Sequence, residues 1–173
     1  MHRFIPYTIL FAATLLVQIF LLDHLTISLY FAPMVYLTFV LMLPLDTPGI
    51  GLLAAGFATG WIMDHTMGTA GLNLIATMPV AFLRPWIIGL IYTRENPHEG
   101  GIPSPGRFGK LKFLRYIVVC VLLHHLLFFG FESLSLTHIG RTALRLLISG
   151  AASIYLTWLA ARLFTLNTGT RLV

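Results

Sequence analysis

The chain is 173 residues long, 57% of them apolar and only 10% charged, with a mean hydropathy of +0.86. A soluble domain carries roughly 25% charged residues, so this composition predicts a single integral membrane domain covering residues 1–173. The net charge of +5 does not indicate nucleic-acid binding, because the Lys and Arg residues lie beside apolar runs, where they set orientation and contact anionic lipid.

Apolar runs predict an all-α fold, a polytopic bundle of about six transmembrane helices. The predicted spans are residues 4–22, 30–45, 49–63, 72–92, 113–131 and 144–164. The first run is longer than the core of a signal peptide, so we expect it to be retained. Residues 93–112, between the fourth and fifth spans, are rich in Pro, Gly and charge and predict a flexible cytoplasmic loop.

The first two spans contain few polar or helix-breaking residues. Gln18 is the strongly polar residue of the first span, and we expect an interhelical hydrogen bond there rather than a ligand contact. Pro33 lies near the start of the second span and Pro44 at its end. Between Pro44 and the third span, Asp46 or Thr47 is expected to be the N-cap.

Two glycines and an aspartate share one face of the third span. Gly56 and Gly60 lie four residues apart, a spacing that lets another backbone approach closely within lipid. Asp64 follows one turn later on the same face. Because an ionisable group near membrane depth is costly, it indicates a structural or functional role.

The third span is short, and a glycine-rich turn follows it. Its 15 residues reach about 22 Å, less than the roughly 30 Å hydrocarbon core. Either the bilayer thins locally or residues 64–71 fold back at membrane depth, and both alternatives stay open. Gly71 is expected to turn the chain and Asn73 to cap the next helix.

The fourth span contains a second ionisable residue, Arg84, directly before Pro85. Arg84 lies eight residues before Tyr92, about 12 Å along a helix, so we expect its side chain to reach the nearer surface and meet Asp46. A direct pair with Asp64 is not expected, because the two residues lie toward opposite faces of the membrane.

The distribution of Lys and Arg predicts the orientation. One side of the predicted spans carries most of the basic residues: Arg3, those of residues 94–115, Arg162 and Arg171. The opposite side keeps mainly Arg141 and Arg145. The positive-inside rule therefore predicts that both termini and the long loop are cytoplasmic.

The last two spans carry residues that could serve chemistry or packing. Cys120 and His124 lie four apart with His125 beside them, but a zinc site needs three or four ligands and only Glu132 is near, so we expect packing and hydrogen bonding rather than metal binding. Ser149 and Ser153 belong to a face of small residues, which is typical of helix packing. No catalytic or phosphate-binding motif is present, so neither an enzyme nor a cofactor is predicted.

Several of these residues resemble the pattern of one family, the rod shape-determining protein MreD of bacteria. The resemblance rests on Gln18, Pro33, Tyr36, the Leu43-Pro44 pair, the Gly60-x-x-x-Asp64 step, Gly71, Ala76 and the Ala-Phe-Leu-Arg-Pro run at residues 81–85. It covers most of the chain, although the matching residues all lie in the first ninety positions.

The resemblance implies a non-enzymatic role in the bacterial inner membrane. MreD proteins belong to the cell-elongation (rod) complex, bind MreC and, through the complex, associate with MreB, RodA and a penicillin-binding transpeptidase. They support side-wall peptidoglycan synthesis and cell shape. The family fold is thought to be related to the substrate-binding component of energy-coupling-factor transporters, so the alternative is a vitamin-binding or small-molecule-binding membrane component.

One sequence feature bears on that alternative. Those components often dock through an Ala-x-x-x-Ala face in the first span, but Leu16 and Val17 stand four positions after Ala12 and Ala13. The same spacing occurs at Ala54 and Ala58 in the third span. A lone bundle without a partner is a third alternative.

Our hypothesis is a scaffold that holds partner membrane proteins through faces of small residues. Its predicted partner-binding or structural residues are Gln18, Pro33, Tyr36, Pro44, Asp46, Gly56, Gly60, Asp64, Gly71, Asn73, Arg84 and Pro85.

Overall fold

The structure, a computed structural model, describes residues 5–24, 30–92, 101–133 and 139–168, and within these ranges all regular secondary structure is helical. The helices are α1 (Ile5–Leu16, continued by a π-helical segment, Val17–Leu22), α2 (Leu37–Leu41), α3 (Gly49–Met67), α4 (Leu72–Ile91), α5 (Pro105–Phe108), α6 (Lys110–Ser133) and α7 (Ile139–Thr168). The predicted all-α class is therefore confirmed.

Four helical stretches are long and apolar enough to cross a membrane. They are Ile5–Leu22, Leu72–Ile91, Lys110–Ser133 and Gly140–Leu166. A count of about six spans stays a prediction. Of the predicted loop at residues 93–112, residues 93–100 lie outside the described ranges, as do Arg3, Arg94 and Arg171, which contributed to the predicted orientation.

The second predicted span is not a continuous helix. Within residues 30–45, hereafter the broken segment, only α2 is helical, and its five residues cover one turn and a half. Pro33 disfavours helix in the residue before it, and Pro44 lacks the N–H needed to continue one. Most side chains between Met34 and Leu43 are buried. Irregular backbone within a membrane bundle is stable where protein surrounds it in this way.

The third predicted span extends beyond its expected end. α3 continues through Asp64 to Met67, and its 19 residues reach about 28 Å, close to the thickness of the hydrocarbon core. Gly68 (φ 67°) and Gly71 (φ 97°) then adopt the left-handed conformation that turns the chain into α4. α4 runs on through Pro79 and Pro85, so Pro85 does not end the helix.

The glycine face of α3 packs against α4 of the same chain. A Cβ atom at Gly56 would lie 2.8 Å from the Cβ of Ala81, and one at Gly60 would lie 2.7 Å from the Cα of Leu74. Both distances are shorter than carbon atoms tolerate. The close backbone approach expected from the four-residue spacing is thus present, and it joins two helices of one chain.

The two ends of the bundle are defined by different elements. At the Asp64 end, α3 turns into α4. The Lys110 end contains the last residues of α4, the short helix α5 and the first residues of α6. α5 helps to close this end, because the buried ring of Phe108 stacks on Tyr92 at 4.6 Å and the N–H of Leu45 donates to the carbonyl of Gly101 at 2.8 Å.

The contact at Gly60 leads to a stability prediction. Gly60→Ala is expected to lower the free energy of unfolding by roughly 1–3 kcal/mol, because the added methyl group forces α3 and α4 apart. Thermal unfolding in mild detergent measures the change. Gly130→Ala is the matched control, since no atom lies within 4 Å of the position that its added methyl group would take, and it should be neutral or stabilising by up to about 1 kcal/mol. Equal effects at the two glycines would contradict the close contact.

Candidate functional site

The broken segment is the centre of the candidate site, because its backbone groups are bonded by side chains from other elements. Gln18 accepts the N–H of Val35 at 2.7 Å and donates to the carbonyl of Pro33 at 3.1 Å. The same amide donates to Asp23 at 2.7 Å. Gln18 therefore forms hydrogen bonds, but not the interhelical one that was expected. Two of its three partners are backbone groups of non-helical residues, which a helix would have satisfied itself.

Two serines of α7 bond the same segment from another side. Ser149 accepts the N–H of Ala32 and donates to the carbonyl of Tyr30, both at 3.0 Å. Ser153 accepts the N–H of Met34 at 2.8 Å and contacts Nε2 of His125 at 3.0 Å. The small-residue face of α7 therefore packs against the broken segment and also supplies the hydroxyl groups that its backbone requires.

Tyr36 connects the broken segment to α4 and α6. Its buried hydroxyl donates to Oδ1 of Asn73 at 2.7 Å and lies 2.9 Å from Nε2 of His124. A tyrosine hydroxyl has one proton, and Asn73 Oδ1 is purely an acceptor, so Nε2 of His124 is the protonated nitrogen and donates to Tyr36. The hydroxyl oxygen of Thr77 lies 3.3 Å from the same nitrogen. These contacts fix the tautomer of the imidazole.

Asp64 caps α4 from the preceding helix. Its carboxylate accepts the N–H groups of Asn73 at 2.8 Å and Leu74 at 2.9 Å, together with the hydroxyl of Thr69 at 2.7 Å. A negative charge at this position also interacts favourably with the helix dipole. The expectation that Asn73 caps the helix is wrong. The N-cap is Gly71, which has no side chain, so an acceptor from α3 takes that role.

Asn73 instead extends the network inward. Its amide nitrogen donates to Thr69 at 2.6 Å and to Asp64 at 3.2 Å, while its oxygen accepts from Tyr36. A continuous series of hydrogen bonds thus runs from Asp64 through Asn73 and Tyr36 to His124.

Arg84 forms a second cluster nearer the Lys110 end. We expected the side chain to reach the surface, but it is buried, with only 1% exposed. Nε donates to the hydroxyl of Tyr116 at 3.0 Å, and the guanidinium donates to backbone carbonyls of the broken segment: Leu41 at 3.2 Å, Leu43, and Pro44 at 3.4 Å. Tyr116 also donates to Leu41 at 2.9 Å.

The expected contact between Arg84 and Asp46 is absent from the described part of the chain. Asp46 is exposed, whereas the carbonyls freed at the end of α2 lie beside the guanidinium and need donors. Asp46 and Thr47 are not the N-cap of α3 either. Pro48 occupies that position, and the Thr47 hydroxyl donates backward to Pro44 at 2.8 Å.

Asp64, in α3, and Arg84, in α4, do not bond each other; the sequence placed them toward opposite faces of the membrane, and their hydrogen-bond partners are different. His124 belongs to the Asp64 network, and His125 bonds Ser153 and the carbonyl of Val121. Within the described ranges no group of three His, Cys, Asp or Glu residues is arranged to hold a metal. The role of Tyr116 was not predicted, because it directly follows Arg115 near the start of the predicted fifth span and does not stand out there as a buried polar group.

A pocket opens at the Asp64 end beside Gln18. Its volume is about 390 Å³, and its polar lining comes from Gln18, Asp23, His24 and Thr66. Partial burial raises the pKa of the Asp23 carboxyl above its ordinary value, against the opposing effects of the Gln18 hydrogen bond and of His24. The broken segment forms one wall through residues 31–34.

No family model, curated protein or solved structure matches this chain. The chemistry of the site therefore rests on its geometry. Arg84, which is buried, and Asp64, which is half-buried, are both bonded to groups of their own chain. The arrangement bonds the broken segment to side chains from several helices of an apolar bundle.

Proposed function

We propose that this protein is a non-enzymatic scaffold of the bacterial cell-elongation complex, in the inner membrane with both termini cytoplasmic, and that it binds an MreC-like membrane protein. The observation that carries the proposal is that Asp64 and Arg84 form hydrogen bonds within the bundle. Both stabilise the internal structure of the bundle through several hydrogen bonds each. The resemblance to MreD supplies the complex, with MreB, RodA and a penicillin-binding transpeptidase as indirect partners.

The partner surface in this proposal is the outer face of α3. Gly56 and Gly60 already contact α4, but Ala54 and Ala58 lie about 200° around the helix from them. Ala54 is exposed and Ala58 half-buried, so this second small-residue pair is accessible to another helix. Phe57 (50% exposed) and Trp61 (57% exposed) flank it.

α3 differs from the four candidate spans in composition. With 19 residues it is long enough to span, but it is not among the four helices that are apolar enough to do so. A partner helix that packs on Ala54 and Ala58 would cover this face and use the adjacent aromatic rings as contacts.

The proposed surface is tested by enlarging its small residues. Ala54→Leu combined with Ala58→Leu is expected to weaken co-purification with an MreC-like partner about tenfold, because the added side chains keep the partner backbone away. Ala13→Leu, at an exposed alanine of α1, is the matched control and should retain binding. Thermal unfolding confirms that each variant is folded.

Two results would contradict the proposal: full partner binding by the folded double variant, or an equal loss with Ala13→Leu. Failure of the wild-type chain to recover any partner would favour a lone bundle.

The pocket beside Gln18 is the observation that favours the transporter alternative. A volume of about 390 Å³ falls in the range of small-molecule sites, roughly 300–1,000 Å³. Native mass spectrometry of the purified protein distinguishes the two functions. The scaffold proposal expects no retained vitamin-sized molecule. A molecule of that size that is retained by the wild type and lost in Asp23→Leu would overturn it.

A further inference from the structure

An apolar groove lies between α6 and α7 near the Lys110 end. Its volume is about 520 Å³. The lining is apolar or aromatic apart from one cation, and consists of Lys110, Leu111, Leu114, Ala151, Ile154, Tyr155 and Trp158. Neither the proposed scaffold surface on α3 nor the pocket beside Gln18 shares any residue with it.

The pairing of the two helices places a second cation, Arg162, beside Trp158, a residue that lines this groove. A Cβ atom at Gly150 would lie 3.7 Å from Leu122, so these residues face each other across the interface. α6 and α7 run in opposite directions. Lys110 precedes Leu122 by twelve residues and Arg162 follows Gly150 by twelve, so Lys110 and Arg162 lie at the same level of the bundle. The Arg162 guanidinium lies 5.4 Å from the centre of the Trp158 ring, which lines the groove.

The charge beside the groove is positive, and neither α6 nor α7 has an acidic residue near Lys110 or Arg162. Lys110 and Arg162 are both exposed. Glu132 is the only acidic residue in α6 or α7, and it lies at the other end of α6, bonded to Arg145 at 2.7 Å. Trp158 and Tyr155 are residue types that concentrate at the level of lipid headgroups. The groove therefore has apolar walls, with two cations and aromatic rings near one end.

We propose that this groove binds one anionic phospholipid, with an acyl chain along the apolar walls and the phosphate near Lys110 and Arg162. A zwitterionic lipid carries its own cation and gains less from the two basic residues. A soluble phosphate has no chain to cover Leu114 and Ile154. Basic sites between membrane helices recognise anionic headgroups through the same combination of charge and apolar contact.

The experiment uses the full chain in a neutral detergent, supplied with either phosphatidylglycerol or phosphatidylcholine, and native mass spectrometry counts the lipid retained. Phosphatidylglycerol should be retained in preference. Lys110→Gln and Arg162→Gln should each reduce its retention about fivefold relative to the wild type. Ala151→Phe, which fills the groove and keeps both charges, should also reduce it.

Lys112→Gln is the matched control. Lys112 is two residues from Lys110 but lies over the ring of Tyr92 at 5.8 Å and does not line the groove, so its removal should leave lipid retention unchanged. Equal retention of the two lipids would overturn the proposal, as would full retention in folded Ala151→Phe or an equal loss in Lys112→Gln. Complete displacement by inorganic phosphate would show a simple anion site and would also overturn it.

Discussion

Arg84→Leu is expected to destabilise the bundle by about 3–5 kcal/mol, the largest effect that we expect of a single substitution in this protein. The guanidinium donates to the carbonyls of Leu41, Leu43 and Pro44 and to the hydroxyl of Tyr116, and the Arg84 side chain is buried. Each buried acceptor left without a donor costs about 1–3 kcal/mol. Leucine would remove all four of these hydrogen bonds from a charged donor. The Leu41 carbonyl would keep the Tyr116 hydroxyl and the Pro44 carbonyl the Thr47 hydroxyl, whereas the Leu43 carbonyl would lose its donor. Unfolding followed by tryptophan fluorescence in a mixed detergent series measures the change.

The control for this prediction separates geometry from charge. Arg84→Lys keeps the positive charge but cannot direct donors at several carbonyls at once, so we expect an intermediate loss of stability. Arg115→Leu, at an exposed position of α6, should change stability by less than about 1 kcal/mol. A free energy of unfolding for Arg84→Leu within that same margin would show that the carbonyls find other donors.

Asp64→Ala is expected to cost about 2–4 kcal/mol, because it removes the acceptor for the first turn of α4. The N–H groups of Asn73 and Leu74 and the hydroxyl of Thr69 would lose their partner together. Loss of an N-cap alone costs about 0.5–2 kcal/mol, and the unbonded donors add to it. Asp64→Asn retains one acceptor oxygen and should lose less. The same fluorescence-detected unfolding applies.

A matched carboxylate and a double variant complete the test. Asp23→Ala removes a more accessible carboxylate that accepts one hydrogen bond from Gln18, so its effect should be well below that of Asp64→Ala. Asp64→Ala and Arg84→Leu share no hydrogen-bond partner, and their effects should add within about 0.5 kcal/mol. Strong coupling between them would mean that the two clusters act as one.

The long helices could be predicted because their signal is local. Apolar runs at residues 72–92, 113–131 and 144–164 correspond to α4, α6 and α7, with ends displaced by at most five residues. The four-residue spacing of Gly56 and Gly60 also predicted a close helix contact, and the structure places α4 there. The polar residues could be selected as important, since a charge or amide in an apolar run has a high desolvation cost.

Their partners could not be predicted, because the groups they bond are backbone atoms without a sequence signature. Apolar composition does not distinguish a continuous helix from the broken segment, and so the carbonyls that Arg84 requires were not foreseen. Ser149 and Ser153 bond residues 119 positions away. Asp64 took the capping role expected of Asn73 because Gly71, the actual N-cap, carries no side chain.

The sequence by itself determined the class of this protein, a helical bundle suited to a membrane, because hydropathy acts residue by residue along the chain. It also determined which side chains are too polar to be left without a partner. Only the tertiary structure decided their partners: Gln18, Ser149, Ser153 and Arg84 bond the backbone of the broken segment, whereas Asp64 caps α4. A backbone that forms no continuous helix within an apolar interior needs donors and acceptors from distant helices, and their positions exist only after the helices have packed.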